Sequence, residues 1–435
     1  MSKNYFGTDG IRGLVATFLT PEFAVKIGQA YGRFLQEKTI KAIVIGHDTR
    51  VSGPTLIKAF LSGIKTFNIK ISYLGIVPTP CISYLCKHHG FQNGVMVTAS
   101  HNPYQYNGFK FFSSIGTKLD KEDELRISRY IDETPTLKYE MTPLPSVDKK
   151  LRAFYYQNFL TLIRPQTTPR ILIDCGFGAA TKIMRWLKQT IGQYFKAFDL
   201  MHTTYDGINI NHNAGATALD RLVARIKRTK QYDFGVAFDG DADRMLLVDQ
   251  DGNIIKGESI LAFFAENLHL KAIVTTIMTN KGIVNYLENA GTQVILTDVG
   301  DSNVTAAMIK NNVKFGGENS GHFIFLDYLN SGDAVYAFFA FLNLYEATKK
   351  LHYDASFYPA TLINFRLTIP GSYQNSHELH CFFEDLSREI GTKGYLNIRL
   401  SGTEPLLRVL IERESDELLE ATKKRVLEAL NNAHL

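Results

Sequence analysis

The sequence predicts an α/β protein: three successive α/β blocks with mixed, largely parallel sheets, then a smaller α+β block. Two observations carry this. Apolar runs such as Ala42-Ile43-Val44-Ile45, Ile171-Leu172-Ile173 and Ala272-Ile273-Val274 alternate with helical stretches, the order that builds parallel sheets. Near Ser356 the alternation stops, and strands follow one another before one long final helix. At 435 residues the chain is too long for one core. A polar segment holding Pro135, Pro143 and Pro145 marks the first boundary. The expected blocks are 1–149, 150–252, 253–355 and 356–435.

Each element has a local cause. Thr20-Pro21-Glu22 opens the first helix with a threonine cap, a proline in the first turn and an acid. Phe23, Ile27, Ala30, Tyr31 and Phe34 recur behind it at helical spacing. Ala42–Ile45 and Ile71–Leu74 are strands, the second leading into a Pro78-Thr79-Pro80 turn. Gly94–Val97 is a buried strand running out at Ser100, and Asn107-Gly108 is a hairpin signal before Phe109–Phe112. In the second block a helix follows Lys150, then comes the strand Arg170–Asp174, the loop Cys175-Gly176-Phe177-Gly178 and a helix. In the third, Lys271–Val274 echoes Lys41–Val44, and Ala334–Leu342 is a core helix too short to span a membrane. The last block has strands at Leu362–Leu367, Asn397–Leu400 and Leu407–Ile411. Its closing helix is capped by Ser415, with Asp416 and Glu417 in the first turn.

Composition narrows the class. Hydrophobic residues are 45% and charged residues 21%, as in soluble globular proteins. The net charge of +5 is spread without a basic run, so no nucleic acid is expected. Cys81, Cys86, Cys175 and Cys381 form no C-x-x-C pair, which argues against a zinc site or disulfide framework and for reduced thiols in the cytoplasm. Met1–Gly7 has no apolar signal core, and no membrane partner is expected.

Four loops carry chemistry. Thr98-Ala99-Ser100-His101-Asn102-Pro103 sets a serine at a strand's carboxyl end, where ligand sites of α/β proteins gather. Asp239-Gly240-Asp241-Ala242-Asp243-Arg244 joins two apolar strands, Phe234–Phe238 and Met245–Val248. Three acids at alternate positions repel unless a hard divalent cation sits among them. A calcium EF-hand needs Gly at its sixth position and Glu at its twelfth; here these are Arg244 and Gln250. Gly316-Gly317-Glu318-Asn319-Ser320-Gly321-His322 can offer hydrogen bonds to a polyol. Arg399-Leu400-Ser401-Gly402-Thr403-Glu404-Pro405, with Arg408, offers arginine forks, hydroxyls and N–H groups to an anion. Both loops also suit ordinary turns. Alone, Ser100 also fits a serine hydrolase, although G-x-S-x-G is missing; a non-catalytic sugar-phosphate binder is the other alternative. Arg12, His101 and Lys110 are undecided by local sequence.

Together, in this order, the four loops resemble the α-D-phosphohexomutase superfamily. Tyr5-Phe6-Gly7-Thr8-Asp9-Gly10-Ile11-Arg12-Gly13, Asn107–Phe112, Asp206-Gly207-Ile208-Asn209-Ile210-Asn211 with Gly215-Ala216-Thr217, and Gly402–Leu406 are similar to its glucosamine-phosphate branch. The resemblance, from residue 5 to about 411, implies four domains around a central cleft, each lending one loop. It implies an isomerase, an intramolecular phosphotransferase that interconverts glucosamine 6-phosphate and glucosamine 1-phosphate. Such an enzyme feeds UDP-N-acetylglucosamine and cell-wall precursor synthesis. Ser100 would be the phosphoserine, and Asp239, Asp241 and Asp243 would hold Mg²⁺ with its phosphate. Glu318, Ser320 and His322 would meet the sugar. Arg399, Ser401, Gly402, Thr403 and Arg408 would hold the non-reacting phosphate. Arg12, His101, Lys110 and Arg244 would surround the transferring group, with Lys110 or His101 as proton acceptor. A bisphosphorylated hexose would be intermediate and activator. The partner is a small sugar phosphate and the chain a monomer or homodimer; a phosphomannomutase or phosphoglucomutase is the alternative. The chain departs from the family at Phe177 (usually asparagine), Ser302 (usually arginine in this branch) and Ala334 (usually glycine).

Overall fold

A computed structural model describes residues 3–135, 140–162, 169–348, 357–368, 372–400 and 405–433. Ser356, where the fourth block is expected to begin, lies outside them. The first sheet has the order β1-β5-β4-β2-β3. Its strands are β1 (Ile11–Leu14), β2 (Ala42–His47), β3 (Lys70–Ile76), β4 (Asn93–Val97) and β5 (Tyr106–Phe112). Its helices are α1 (Pro21–Glu37), α2 (Gly53–Ile64), α3 (Thr79–His89) and α4 (Lys121–Glu133), and α5 (Lys149–Asn158) follows. The strand β2 runs parallel to β3 and β4, while β5 is antiparallel to β4 and β1.

The second sheet, β10-β9-β8-β6-β7, repeats the plan. It comprises β6 (Arg170–Asp174), β7 (Ala197–Met201), β8 (Phe234–Phe238), β9 (Met245–Asp249) and β10 (Ile254–Ile255), with α6 (Ala180–Ile191) and α7 (Asp220–Thr229). Here β6 is parallel to β7 and β8, and β8 and β9 form an antiparallel hairpin. The third sheet, β12-β11-β13-β14, comprises β11 (Ala272–Thr276), β12 (Gln293–Thr297), β13 (Phe315–Gly317) and β14 (Phe323–Phe325). Its helices are α8 (Gly257–Asn267), α9 (Lys281–Asn289), α10 (Asp301–Asn311) and α11 (Ala334–Thr348). In each of these sheets a hairpin beside a parallel pair turns at a chemistry-bearing loop: 98–105, 239–244 and 318–322.

The fourth sheet, β15-β17-β16, is wholly antiparallel: β15 (Ala360–Arg366), β16 (Gly394–Leu400) and β17 (Leu406–Arg413), with α12 (Ser372–Asn375), α13 (His377–Ile390) and α14 (Asp416–Asn432). The chain divides into two compact units. One carries the first three sheets; the other carries the fourth sheet together with residues 278–294. Each has its own core. Tyr31, Phe34, Phe60, Phe109 and Phe111 dominate that of the first sheet, and Phe383, Leu386, Leu407, Val409 and Val426 that of the fourth.

The expected caps form. Thr20 Oγ1 accepts from the Phe23 N–H at 3.3 Å, and Ser415 Oγ from the Leu418 N–H at 3.3 Å. Two local readings are corrected. Pro78-Thr79-Pro80 is the start of α3 rather than a turn, because proline in a first turn costs no hydrogen bond. Asn107-Gly108 lies inside β5, not at a bend: the two residues pair with Gly13 and Arg12 of β1, and Asn107 donates to Ser52 Oγ. Tertiary pairing overrides the dipeptide's turn preference.

Two glycines let α1 and α2 pack closely. A Cβ at Gly28 of α1 would meet the Phe60 carbonyl oxygen at 2.1 Å, and one at Gly63 of α2 would meet that of Val25 at 2.1 Å. Both obstacles are backbone, so the helices must part. Gly28→Val is expected to destabilise the protein by about 2 kcal/mol through overpacking, read as a lowered urea midpoint.

Candidate active site

Ser100 follows β4 with φ of +49°, in the left-handed region that an L-residue occupies only when held there. The hold comes chiefly from Arg50, the largest fully buried side chain among the described residues. Its Nη1 donates to the Pro103 carbonyl at 2.6 Å, and its Nη2 to the carbonyls of Ser100 at 2.9 Å and Asn102 at 2.8 Å. Its Nε meets Asp48 Oδ2 at 2.9 Å. Asp48 also accepts from Thr98 Oγ1, which in turn accepts from the Ser100 N–H at 2.9 Å. From the second sheet Asn211 Nδ2 donates to the same Ser100 carbonyl at 2.8 Å.

The Ser100 hydroxyl donates to Asp239 Oδ2 at 2.8 Å and lies 3.3 Å from His101 Nδ1. Asp239, Asp241 and Asp243 are all buried, and each turns one oxygen to a common point, within 4.8 Å of one another. Lys110, 1% exposed at its side chain, bridges Asp241 at 2.9 Å, Asp243 at 3.1 Å and Asp9 at 3.1 Å. Thr79, at the start of α3, donates from Oγ1 to Asp241 Oδ2 at 2.5 Å, so a helix N-terminus adds its positive end.

Burial and the charges of Asp243 and Asp241 push the Asp239 carboxyl well above its usual range. Asp243 goes the other way: burial resists ionisation, but Lys110, His322 and Arg244 hold it well below. Burial also opposes the Lys110 charge, yet Asp241, Asp243 and Asp9 keep it protonated far up the scale. Burial, with Arg244 and Arg12 nearby, lowers His101.

The third sheet closes this side of the site. Glu318 Oε1 accepts from the Gly300 N–H at 3.0 Å. Gly300 has φ of +124°, which only glycine adopts readily. His322 Nδ1 stands 3.8 Å from Asp243, and its Nε2 accepts from the Gly332 N–H at 3.1 Å. The Met245 N–H donates to the Gly321 carbonyl at 3.0 Å, and the Ala334 N–H to that of Ala242 at 3.3 Å. Arg12 reaches the cluster through Asp9, 3.7 Å away. Among the described residues, Arg12 Nη1, Asp241 Oδ1, Asp243 Oδ1, Arg244 Nε and Ser320 Oγ are buried without a hydrogen-bond partner. Buried polar atoms are normally satisfied, and five lie on loops expected to meet ligand. Three hard carboxylate oxygens beside a hydroxyl suit a magnesium-like ion.

The structure therefore brings Ser100, His101, Lys110, the three aspartates, Arg244, His322 and Arg12 into one cluster, with Glu318 and Ser320 on the adjoining loop. In the second unit, Arg399 and Arg408 are direct cross-strand partners on β16 and β17. Like charges directly opposite destabilise a sheet unless an anion joins them. Ser401, Gly402 and Thr403 lie outside the described residues. Asp48, Arg50, Thr79, Lys118 and Asp301 have no role predicted from sequence, and Asp9 and Asn211 figure there only within family motifs. Only Asp48-Thr49-Arg50 carried a local signal, as charged residues directly after an apolar strand.

The four domains identify the class. Residues 3–138, 153–252 and 256–357 match the phosphoglucomutase/phosphomannomutase alpha/beta/alpha domains I, II and III, and residues 362–429 match the C-terminal domain. The chain belongs to the phosphoglucomutase/phosphomannomutase family. It is 35% identical over 448 residues to the phosphoglucosamine mutase of Bacillus subtilis (strain 168), covering 98% of each chain. To that of Deinococcus radiodurans it is 38% identical over 429 residues, covering 95% of this chain and 94% of the other. In fold it is similar to a phosphoglucomutase/phosphomannomutase family protein from Burkholderia thailandensis, with a TM-score of 0.81, 23% identity and coverage of 100% and 98%. It is also similar in fold to Aspergillus fumigatus N-acetylphosphoglucosamine mutase in complex with GlcNAc-6P and magnesium, with a TM-score of 0.64, 16% identity and coverage of 99% and 96%.

Replacing Arg50 by Met leaves Asp48 buried without its cation and takes a donor from three carbonyls of the Ser100 loop, two of which keep only Asn211. The expected cost is about 3–5 kcal/mol, measured by denaturant unfolding.

Proposed function

We propose that the protein is a phosphoglucosamine mutase, interconverting glucosamine 6-phosphate and glucosamine 1-phosphate. The observation that carries this is 35–38% identity to phosphoglucosamine mutases over nearly the whole chain, joined to a serine hydroxyl 2.8 Å from a buried aspartate of a three-carboxylate cluster. Phosphoryl transfer needs in-line placement and charge neutralisation more than covalent help. Phosphorylated Ser100 donates its phosphoryl group to the free hydroxyl of the sugar phosphate. The resulting bisphosphorylated hexose turns over, and its other phosphate returns to Ser100.

Asp239, Asp241 and Asp243, with the Ser100 oxygen, would hold Mg²⁺, which offsets charge on transferring oxygens when bound. Lys110, gripped by three carboxylates, and Arg244 face the same charge. His101, with a ring nitrogen beside Ser100 Oγ, is placed to take the hydroxyl proton. Glu318, Ser320 and His322 are assigned to the sugar. Arg399 and Arg408, with Ser401, Gly402 and Thr403, are assigned to the non-reacting phosphate. Among the described residues no helix is long and apolar enough to cross a membrane; a cytoplasmic setting fits a phosphorylated small-molecule substrate.

Three outcomes test this. Intact mass and peptide mapping are expected to find one phosphate at Ser100, and Ser100→Ala is expected to abolish turnover; phosphate elsewhere or full activity of the variant refutes the mechanism. Glucosamine phosphate is expected to turn over faster than glucose or mannose phosphate, and equal or faster turnover of mannose phosphate would make the protein a phosphomannomutase instead. Chelation with EDTA should stop turnover and added magnesium should restore it.

A further inference from the structure

Lys118 lies just past β5, outside every loop assigned a role so far, with a side chain only 10% exposed. Burying a lysine is costly unless it is paired, and this one is paired twice. Its Nζ meets Asp9 Oδ1 at 2.7 Å and Asp301 Oδ1 at 2.8 Å. It also donates to the Thr8 carbonyl at 3.3 Å. Burial opposes its charge, but Asp301 and Asp9 more than restore it, raising the ammonium to about 12.

Each of these carboxylates has a second oxygen that leads on. Asp9 Oδ2 meets Lys110 Nζ at 3.1 Å, and through it Asp241 and Asp243. Asp301 Oδ2 stands 3.8 Å from His322 Nε2, and the opposite nitrogen of that ring is 3.8 Å from Asp243. Close ion pairs run from Lys110 through Asp9 and Lys118 to Asp301, and the ring of His322, 3.8 Å from Asp301 and from Asp243, completes the circuit by proximity, beyond hydrogen-bond reach. Asp301 also opens α10 next to Gly300, whose N–H holds Glu318. Among the described residues, Lys118 is thus the cation that touches both the arm fixing Lys110 and the loop that holds Glu318.

We infer that Lys118 is a positioning residue for both halves of the site, acting through Asp9 on phosphoryl transfer and through Asp301 on sugar binding. This rests on the mutase reading above. Loss of a salt bridge that merely stabilised the fold would lower the melting temperature and leave the kinetic constants alone.

The test compares kcat and KM for glucosamine 6-phosphate in the full-length protein and three variants. Asp9→Asn is expected to lower kcat by about a hundredfold with KM nearly unchanged, since misplacing a transfer group costs that much. Asp301→Asn is expected to raise KM at least about fivefold with kcat nearly unchanged. Lys118→Met is expected to do both. A folded Lys118→Met protein with both constants within about twofold of the parent overturns the inference, whatever its melting temperature; so does loss of kcat alone. If Lys118→Met does not fold, Lys118→Met/Asp301→Asn, which removes the stranded carboxylate, is read by the same criteria. An inactive parent would instead overturn the assigned reaction. Calorimetric binding of glucosamine 6-phosphate then decides the positioning role: supported if Lys118→Met and Asp301→Asn weaken it and Asp9→Asn does not, overturned otherwise.

Discussion

Everything in the first unit is organised around an electrostatic problem. Asp239, Asp241 and Asp243 are buried within reach of one point, and their mutual repulsion is relieved within the protein by a few groups: Lys110, Arg244 and the start of α3. Of these, only Arg244 comes from the hairpin that carries the acids. Lys110 stands on β5, Thr79 opens α3, and His322 sits before β14. The buried acids therefore draw compensation from the first and third sheets as well as from their own loop. The opposite shifts of Asp239 and Asp243 report the same imbalance, since Lys110 serves one end of the cluster better than the other. A divalent ion at the common point would remove it.

The strands, most helices and the loops that matter were legible because their causes are local. Thr20 caps its helix within three residues, the apolar runs end where charge begins, and the acidic turn carries its own repulsion. What the sequence hid is what depends on distant partners. Arg50 reads as one more surface arginine until its five hydrogen bonds are traced to Asp48 and to carbonyls half a hundred residues on. Asp9, Lys118 and Asp301 are ordinary polar residues of a loop, a turn and a helix start, and only packing of the first sheet against the third makes them a circuit. Asn107-Gly108 shows the converse error: a strong local turn signal outweighed by pairing with β1.

The departures from the family pattern have different physical weights. Phe177 has φ of +54°, a conformation asparagine adopts more easily, and its ring lies 4.7 Å from that of His202 while its carbonyl accepts from Thr49. It thus accepts strain for packing. Ala334 opens α11 and meets the acidic turn through its backbone N–H, which any residue but proline supplies. Ser302 falls between Asp301 and Asn303, in the first turn of α10, where an arginine would have brought a further cation beside Lys118.

The grip on Ser100 has a consequence for selectivity. Its carbonyl is tied to two side chains from different sheets and its backbone sits in a conformation it would leave if released, so the serine has no slack with which to follow a substrate. On the proposed reaction it is a fixed origin from which both ends of the sugar are measured in turn. A hexose is then accepted or refused by whether O1 and O6 can each be brought to one stationary point, which makes the shape and pucker of the ring between those oxygens, more than any single contact to it, the quantity the enzyme reads.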